Sequence, residues 1–307
     1  MDIHTEFFTA EDGARLALHS WLPQGEPRAV LLICHGMVEY AKRFDYPARA
    51  LAEQGIAVFA HDQRGHGETA GTLDAAGYIC PGDGFARVVL DLRDLVRKLK
   101  GNFPGKKIML LGHSFGSFVS QGFIEHYGAE IDGCLLSGTA GPRPGLITAA
   151  SLLVKVVIAF KGDRYRSSLL RALTFGGYNK RIAGPISPSA WLSRDPAAIQ
   201  KHDADPWNTF VPTTSFFRDL MTGLERIHKK EAMRGIPKDL PVLLFAGDAD
   251  PVGDYGKTVS ALAGIYRANG MTDVTLALYP QGRHEMLHEI NKDEVIGDIL
   301  SWINERL

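Results

Sequence analysis

Cysteine is scarce. The 307 residues hold three, Cys34, Cys80 and Cys134, an odd number at wide spacing with no CxxC pair. That argues against a disulfide framework and against a zinc site, and Cys34 and Cys134, which sit in apolar runs, read as buried thiols. A surplus of either charge is missing too. The 34 Lys and Arg stand against 35 Asp and Glu, a formal net charge of −1. The basic footprint of a nucleic-acid binder is therefore absent, and net charge does not steer a charged substrate. There is no internal repeat and no low-complexity tract. The opening residues, MDIHTEFFTAEDG, are polar and acidic and lack the basic-then-apolar order of a secretory signal. The longest nearly apolar stretch, 146–160, is broken by Lys155 and falls short of the ~20 apolar residues of a bilayer span. The expectation is a soluble, cytoplasmic protein.

What is present is ordinary globular composition, 45% hydrophobic and 22% charged, enough for a sizeable core. Continuous apolar runs at 30–34, 56–60, 108–111 and 134–137 read as strands buried on both faces, as in a parallel sheet. Between the second and third, Phe85, Val88, Val89, Leu92, Leu95, Val96 and Leu99 recur at helical spacing, and Gly101 follows as a stop signal. From about 138 to 237 the strand pattern vanishes, and Pro/Gly punctuation separates helical stretches. The rhythm then resumes with strands at 242–246 and 274–279 and a last helix carrying Val295, Ile296, Ile299, Leu300 and Ile303 on one face. One doubly wound α/β domain, 1–137 plus 238–307, with a helical insertion at 138–237 accounts for this order. Two sequential domains would leave the last two strands without a sheet to join.

Gly112-His113-Ser114-Phe115-Gly116 fits G-x-S-x-G, with a strand before it and a helix-forming stretch after it. That is the setting of a nucleophile elbow. The turn strains Ser114, lifts its hydroxyl above the sheet and aims the Phe115 N–H at a developing oxyanion. The strand at 30–34 runs into His35-Gly36-Met37, where a second oxyanion donor would be the Met37 N–H; His35 reads as structural. Acyl transfer by serine also needs a histidine to take its proton and a carboxylate to fix the tautomer, in the chain order Ser, acid, His. His284 follows the last strand at the carboxyl edge of the sheet. His61 and His66 precede Ser114, His202 and His228 lie in the insertion, and His288 is expected in the following helix. Asp248 and Asp250 compete for the acid. Asp250, farther past its strand, has the longer reach, and Asp248 suits a turn-fixing role.

Together these motifs resemble the monoacylglycerol lipase and lysophospholipase group of α/β hydrolases, grouped with serine aminopeptidase-like hydrolases, over nearly the whole chain. The pattern H-G-x-x-E-H-x-x-R-Y is matched by 35–44, D-x-R-G-H-G-x-S by 62–69, the acid motif G-x-x-D-x-[VL] by 247–252, and the base loop by Gly282-Arg283-His284-Glu285. Trp191-Leu192-Ser193-Arg194-Asp195 looks like a cap motif of bacterial and fungal members. The resemblance implies an α/β-hydrolase fold, a mostly parallel central sheet flanked by helices with an inserted helical cap. It implies a serine carboxylic-ester hydrolase acting on monoacylglycerol- or lysophospholipid-like esters, and it places the acid on Asp250. The expected catalytic set is Ser114, Asp250 and His284 with Met37 and Phe115 N–H groups as oxyanion donors, and no metal or organic cofactor. Tyr40 departs from the family's histidine, Phe44 from its tyrosine and Thr69 from its serine.

Glu39 and Arg43, spaced i, i+4, could pair, and with Arg64 and His66 they read as scaffolding of the site loops. The run Leu146, Ile147, Leu152, Leu153, Val154, Val156, Val157, Ile158 and Phe160 leaves its role open: burial against the core and the rest of the insertion, or else an acyl-tunnel wall or a surface that touches lipid aggregates or a membrane. Arg164, Arg166 and Ser167 read as solvated cap surface. The first rival reading is an aminopeptidase-like serine peptidase, whose amine-binding carboxylate would come from Asp163, Asp195, Asp203 or Asp205. The second is a non-catalytic ligand-binding member of the fold, against which the intact Ser, Asp and His set speaks. The expected partner is a small-molecule ester or lipid, with no nucleic acid.

Overall fold

The computed structural model describes residues 2–307. Eight strands, β1 (His4–Thr9), β2 (Arg15–Trp21), β3 (Ala29–Cys34), β4 (Ile56–His61), β5 (Lys107–His113), β6 (Gly133–Ser137), β7 (Val242–Gly247) and β8 (Val274–Tyr279), form one sheet in the order β1-β2-β4-β3-β5-β6-β7-β8. β1–β2 and β2–β4 are antiparallel, and every other pair is parallel. The six apolar runs are the six parallel strands. The sequence reading missed β1 and β2, and the reason lies in their composition. β1 is a half-exposed edge strand, and β2 buries the polar His19 and Ser20 within its run. His19 is satisfied there by Thr5 Oγ1 (2.9 Å) and Asp62 Oδ2 (3.3 Å).

Helices α1 (Asp45–Glu53), the single turn α2 (Gly67–Ala70), α3 (Gly84–Asn102) and α4 (Phe115–Tyr127) follow strands in the first half. Between β6 and β7 come α5 (Pro144–Lys161), α6 (Ser168–Phe175), α7 (Pro196–Ala204), α8 (Thr214–Ile227) and α9 (Lys230–Arg234); α10 (Lys257–Ala268) and α11 (Lys292–Asn304) complete the chain. Successive strand residues point to opposite faces, and both faces are covered. Val30, Leu32 and Cys34 enter one core with Leu92, Val119, Phe216 and Leu262, whereas Leu31 and Ile33 enter another with Leu51, Ile299 and Ile303. That double burial is why the parallel strands inside the sheet are apolar without alternation, while β8, at the edge, stays half-exposed. α8 packs into the first core against α3 and α4. β3 has β4 on one side and β5 on the other, so the connections diverge and open a crevice at the carboxyl ends of β3 and β5.

Three expectations are corrected here. The 146–160 stretch belongs to an 18-residue helix, α5, opened by Pro144 at its first turn; by length and composition it could cross a membrane. It lies along α8, burying only the stripe Ile147, Ser151 and Val154 and leaving Leu146, Leu152, Val156 and Phe160 exposed. Arg164, Arg166 and Ser167 are not simply solvated. Arg166 donates to the carbonyls of Leu73, Asp74, Ala76 and Val211, Arg164 stacks 3.8 Å from the Tyr78 ring, and buried Ser167 caps α6. His288 lies in a 3-10 turn (Met286–His288), not in α11.

Candidate active site

Ser114 sits between β5 and α4 with φ 51° and ψ −118°, a backbone region that side-chain-bearing residues rarely occupy. The elbow holds because its flanking glycines permit close approach. A Cβ on Gly112 would strike the Gly116 carbonyl and Ser120 Oγ, and one on Gly116 would strike the carbonyls of Cys34 and His35. The Ser114 N–H donates to Ser137 O (2.9 Å), and its carbonyl accepts from Ser117 Oγ (2.6 Å). The Phe115 ring anchors the first turn of α4 against Phe216, centroids 4.9 Å apart.

The loop after β3 is pinned by histidines. Buried His35 donates from Nδ1 to Gly36 O (2.7 Å) and accepts at Nε2 from the Gln63 N–H (2.9 Å). Burial holds its pKa well below the ordinary imidazole value, consistent with a neutral, structural ring. Val38 has φ 59°, a strained conformation for a β-branched residue, and its N–H donates to His66 Nε2 (3.2 Å). Thr69 accepts from Ala17 N–H (2.8 Å) and donates to Asp62 O (2.6 Å). Neither the Met37 nor the Phe115 N–H has a hydrogen-bond partner among the described residues, and Met37 lines the same cavity as Ser114 and His284.

Asp250 and His284 meet across 34 residues of sequence: His284 Nδ1 lies 2.9 Å from Asp250 Oδ2, with both side chains buried. Burial pulls the His284 pKa down, but the charge and hydrogen bond of Asp250, with Glu285 and Glu39 beyond it, outweigh that and the net shift is upward. The other Asp250 oxygen accepts from Val252 N–H (2.9 Å). Asp248 instead accepts from Gln281 N–H (2.6 Å), the turn-fixing role. The Trp191 motif runs along this loop. Trp191 O accepts from His284 N–H (3.3 Å), Leu192 O accepts from Glu285 N–H (2.7 Å), and the Trp191 ring lies 4.9 Å from the His284 ring.

Glu285 is the residue that sequence reasoning passed over. Arg43 pairs with Glu39 as the i, i+4 spacing predicts (2.8 Å), but it also makes a two-pronged bond to Glu285 at 2.7 Å on both arms. Only the base-loop motif could have signalled Glu285, and it named no role for it. Glu39, His113 and Glu285 converge as metal-ligand types do, yet the Arg43 guanidinium already bonds both carboxylates and supplies the balancing positive charge. Tyr40, the first departure from the family pattern, donates its hydroxyl to Asp205 Oδ2 (2.7 Å). Phe44, the second, is buried edge-on to His113 and His288.

Ser114 and His284 open into a cavity of about 460 Å³. Met37, Ala172, Phe175, Trp191, Leu192 and Phe210 give it apolar walls, and Glu39, Arg43, Glu285, His202 and Asn208 give it polar ones. The model of the family described as serine aminopeptidase, S33, matches residues 25–291. The chain belongs to this family. It is a serine hydrolase of the α/β-hydrolase fold, in the monoacylglycerol lipase-like group. It is 26% identical to the monoacylglycerol lipase of Mycolicibacterium smegmatis, over 98% of this chain and 96% of that protein. It is 27% identical to the monoglyceride lipase of Homo sapiens, over 96% and 88%. A thermostable carboxyl esterase from Bacillus coagulans, solved in complex with glycerol, matches with a TM-score of 0.90 and 28% identity over 99% of both chains.

Proposed function

We propose that the chain hydrolyses monoacylglycerol- or lysophospholipid-like esters through a Ser114–His284–Asp250 triad and an acyl-enzyme. The observation that carries this reading is the single cavity onto which the strained Ser114 and the Asp250-bonded His284 both open, walled by apolar side chains fit for an acyl chain. With Nδ1 engaged by Asp250, His284 has Nε2 left to take the Ser114 proton as the hydroxyl attacks the ester carbonyl. The free N–H groups of Met37 and Phe115 hold the oxyanion, an interaction worth several kcal/mol in a water-poor site. His284 then protonates the departing alcohol, and water cleaves the acyl-enzyme by the reverse sequence. The names of the similar lipases and esterase support the ester class.

In this reading 138–237 is a cap. α6, α7 and the Trp191 segment roof the cavity, while α8 anchors the cap in the core. The exposed faces of α5 and α6, with Leu152, Phe160, Leu169 and Leu173, then serve transient contact with lipid aggregates. The peptidase alternative loses its amine-binding group: Asp163 pairs with Arg218, Asp195 caps α7, Asp203 bonds His202, and Asp205 accepts from Tyr40 and Trp207 N–H. None of the four lines the cavity. The test is a panel of esters differing in chain length and head group, beside amino-acid arylamides, with a fluorophosphonate probe on wild type and Ser114→Ala. Ser114-dependent labelling and ester turnover are expected. Arylamide turnover exceeding ester turnover, or ester turnover retained in Ser114→Ala, overturns the proposal.

A further inference from the structure

A buried ion cluster stands beside Ser114, and none of its members is a reacting group of the proposed triad. Glu39, Arg43 and Glu285 are 4%, 9% and 6% exposed at their side chains, so their mutual bonds are shielded from water. Glu39 Oε1 accepts the Gly36 N–H. A Cβ on Gly36 would touch both that oxygen and Ser114 Cβ, so carboxylate and nucleophile flank the same glycine. At the other end, Glu285 adjoins His284 in sequence, and the Arg43 carbonyl accepts from His288 Nε2 (2.9 Å). The two loops that must face one ester carbonyl are thus joined by a guanidinium fork, whose planar two-pronged geometry fixes orientation as well as distance.

We propose that Glu285 is a positioning residue: through Arg43 it registers the base loop of His284 against the oxyanion loop 36–39. The proposal rests on the triad reading given above. Arg43 would also cancel the Glu39 charge, which would otherwise oppose an oxyanion forming beside Ser114. Burial pushes the Glu39 carboxyl up to about 7 even against the pull of Arg43. The other titratable groups facing the cluster are His113 (4.0 Å from Glu39), His288 (3.7 Å from Glu285), His284 and His202 of the cap. Burial lowers the first two, whereas the carboxylates around His284 raise it.

The test measures kcat, KM and the pH profile of kcat/KM on a water-soluble butyrate ester for wild type, Glu285→Gln and Arg43→Lys, with thermal melts. A loop displaced by an ångström costs about 10- to 100-fold in rate, so Glu285→Gln is expected to lower kcat by that factor with KM within about two-fold. Loss of the Glu285 charge, which favours the His284 imidazolium, should also move the acid limb to lower pH by about half a unit, a change that loosened packing alone would not produce. Arg43→Lys, which loses the fork but keeps the charge, should lower kcat without that displacement, and it carries the test if Glu285→Gln does not fold. A kcat within two-fold of wild type in the variants, or a rise in KM at unchanged kcat, overturns the proposal. A wild type that turns over no ester overturns the proposed function as well, so the two failures are distinguishable.

Discussion

On the sheet side of the cavity, polar groups are buried and bonded to one another: His284 to Asp250, Arg43 to Glu39 and Glu285, His35 to Gly36 and Gln63. On the helical side the pattern inverts. α5 and α6 hold few polar contacts and leave Leu146, Leu152, Val156, Phe160, Leu169 and Leu173 in the open, Phe160 at 82% exposure. The contrast separates two physical demands. Reacting groups must be placed within a fraction of an ångström, and buried hydrogen bonds and ion pairs do that because a misplaced partner is costly. A cover of the kind proposed for this segment needs to exclude water and match an apolar substrate, which non-directional apolar surface does while tolerating movement.

The largest effects should come from breaking the sheet side at its centre. Ser114→Ala should reduce kcat by at least about 10⁴-fold, and Asp250→Asn by roughly 10³- to 10⁴-fold through loss of the His284 tautomer; steady-state kinetics with melts in parallel checks both. If Asp250→Asn keeps wild-type kcat, the buried pair is not what orients the base. A milder probe is pH. In the proposed triad His284 must be neutral to act, and its surroundings raise its pKa above the ordinary 6.5, so kcat/KM should rise with pH through a midpoint above 6.5. An acid limb at or below that value contradicts the part given to Asp250.

The helical side is sharpened by Leu152→Ser with Phe160→Ser. Turnover of a soluble short-chain ester should stay within about two-fold, while turnover of long-chain monoacylglycerol in anionic vesicles falls by about five- to ten-fold as buried apolar area at the interface is lost. Equal loss on both substrates would show that these residues shape the cavity instead. The smallest expected effect tests an exception on the sheet side. Glu125 of α4 is buried with Oε1 lacking a partner among the described residues, and burial pushes its pKa up to about 9. The folded state therefore holds a proton that the unfolded chain releases near 4.5, so stability falls as pH rises from there toward 9. Glu125→Gln should raise Tm by a few degrees at pH 8, with the gain shrinking toward pH 5. A variant that melts lower than wild type at pH 8 would mean the carboxyl has a bonded role.

Much of the sheet side was legible. Five of the six parallel strands announce themselves because burial on both faces demands continuous apolar runs, and the half-exposed edge strand β8 is legible from its apolar residues alone. Ser114 and His284 follow from what stands before and after them in the chain. The choice of Asp250 over Asp248 needed the family motif, since both lie in one turn. The antiparallel β1 and β2 escaped notice, because β2 buries His19 against Asp62 and a buried polar pair looks like a solvent-facing one until its partner is known. Arg164 and Arg166 misled for the same reason: a cation that stacks on a distant ring, as Arg164 does, or bonds carbonyls of a distant loop, as Arg166 does, has the same sequence as one in water.

The sequence by itself determined the strand–turn–helix elbow, the chain order of Ser114, Asp250 and His284, and the family, because these depend on local turn geometry, periodicity and short motifs. Only the tertiary structure decided which carboxylate reaches Arg43, since Glu285 lies 242 residues away and two chains of such length meet only through the sheet order. It also decided which face of α5 is covered. Composition records how apolar a helix is, whereas its exposure depends on the neighbour packed against it, and α8 covers one stripe alone.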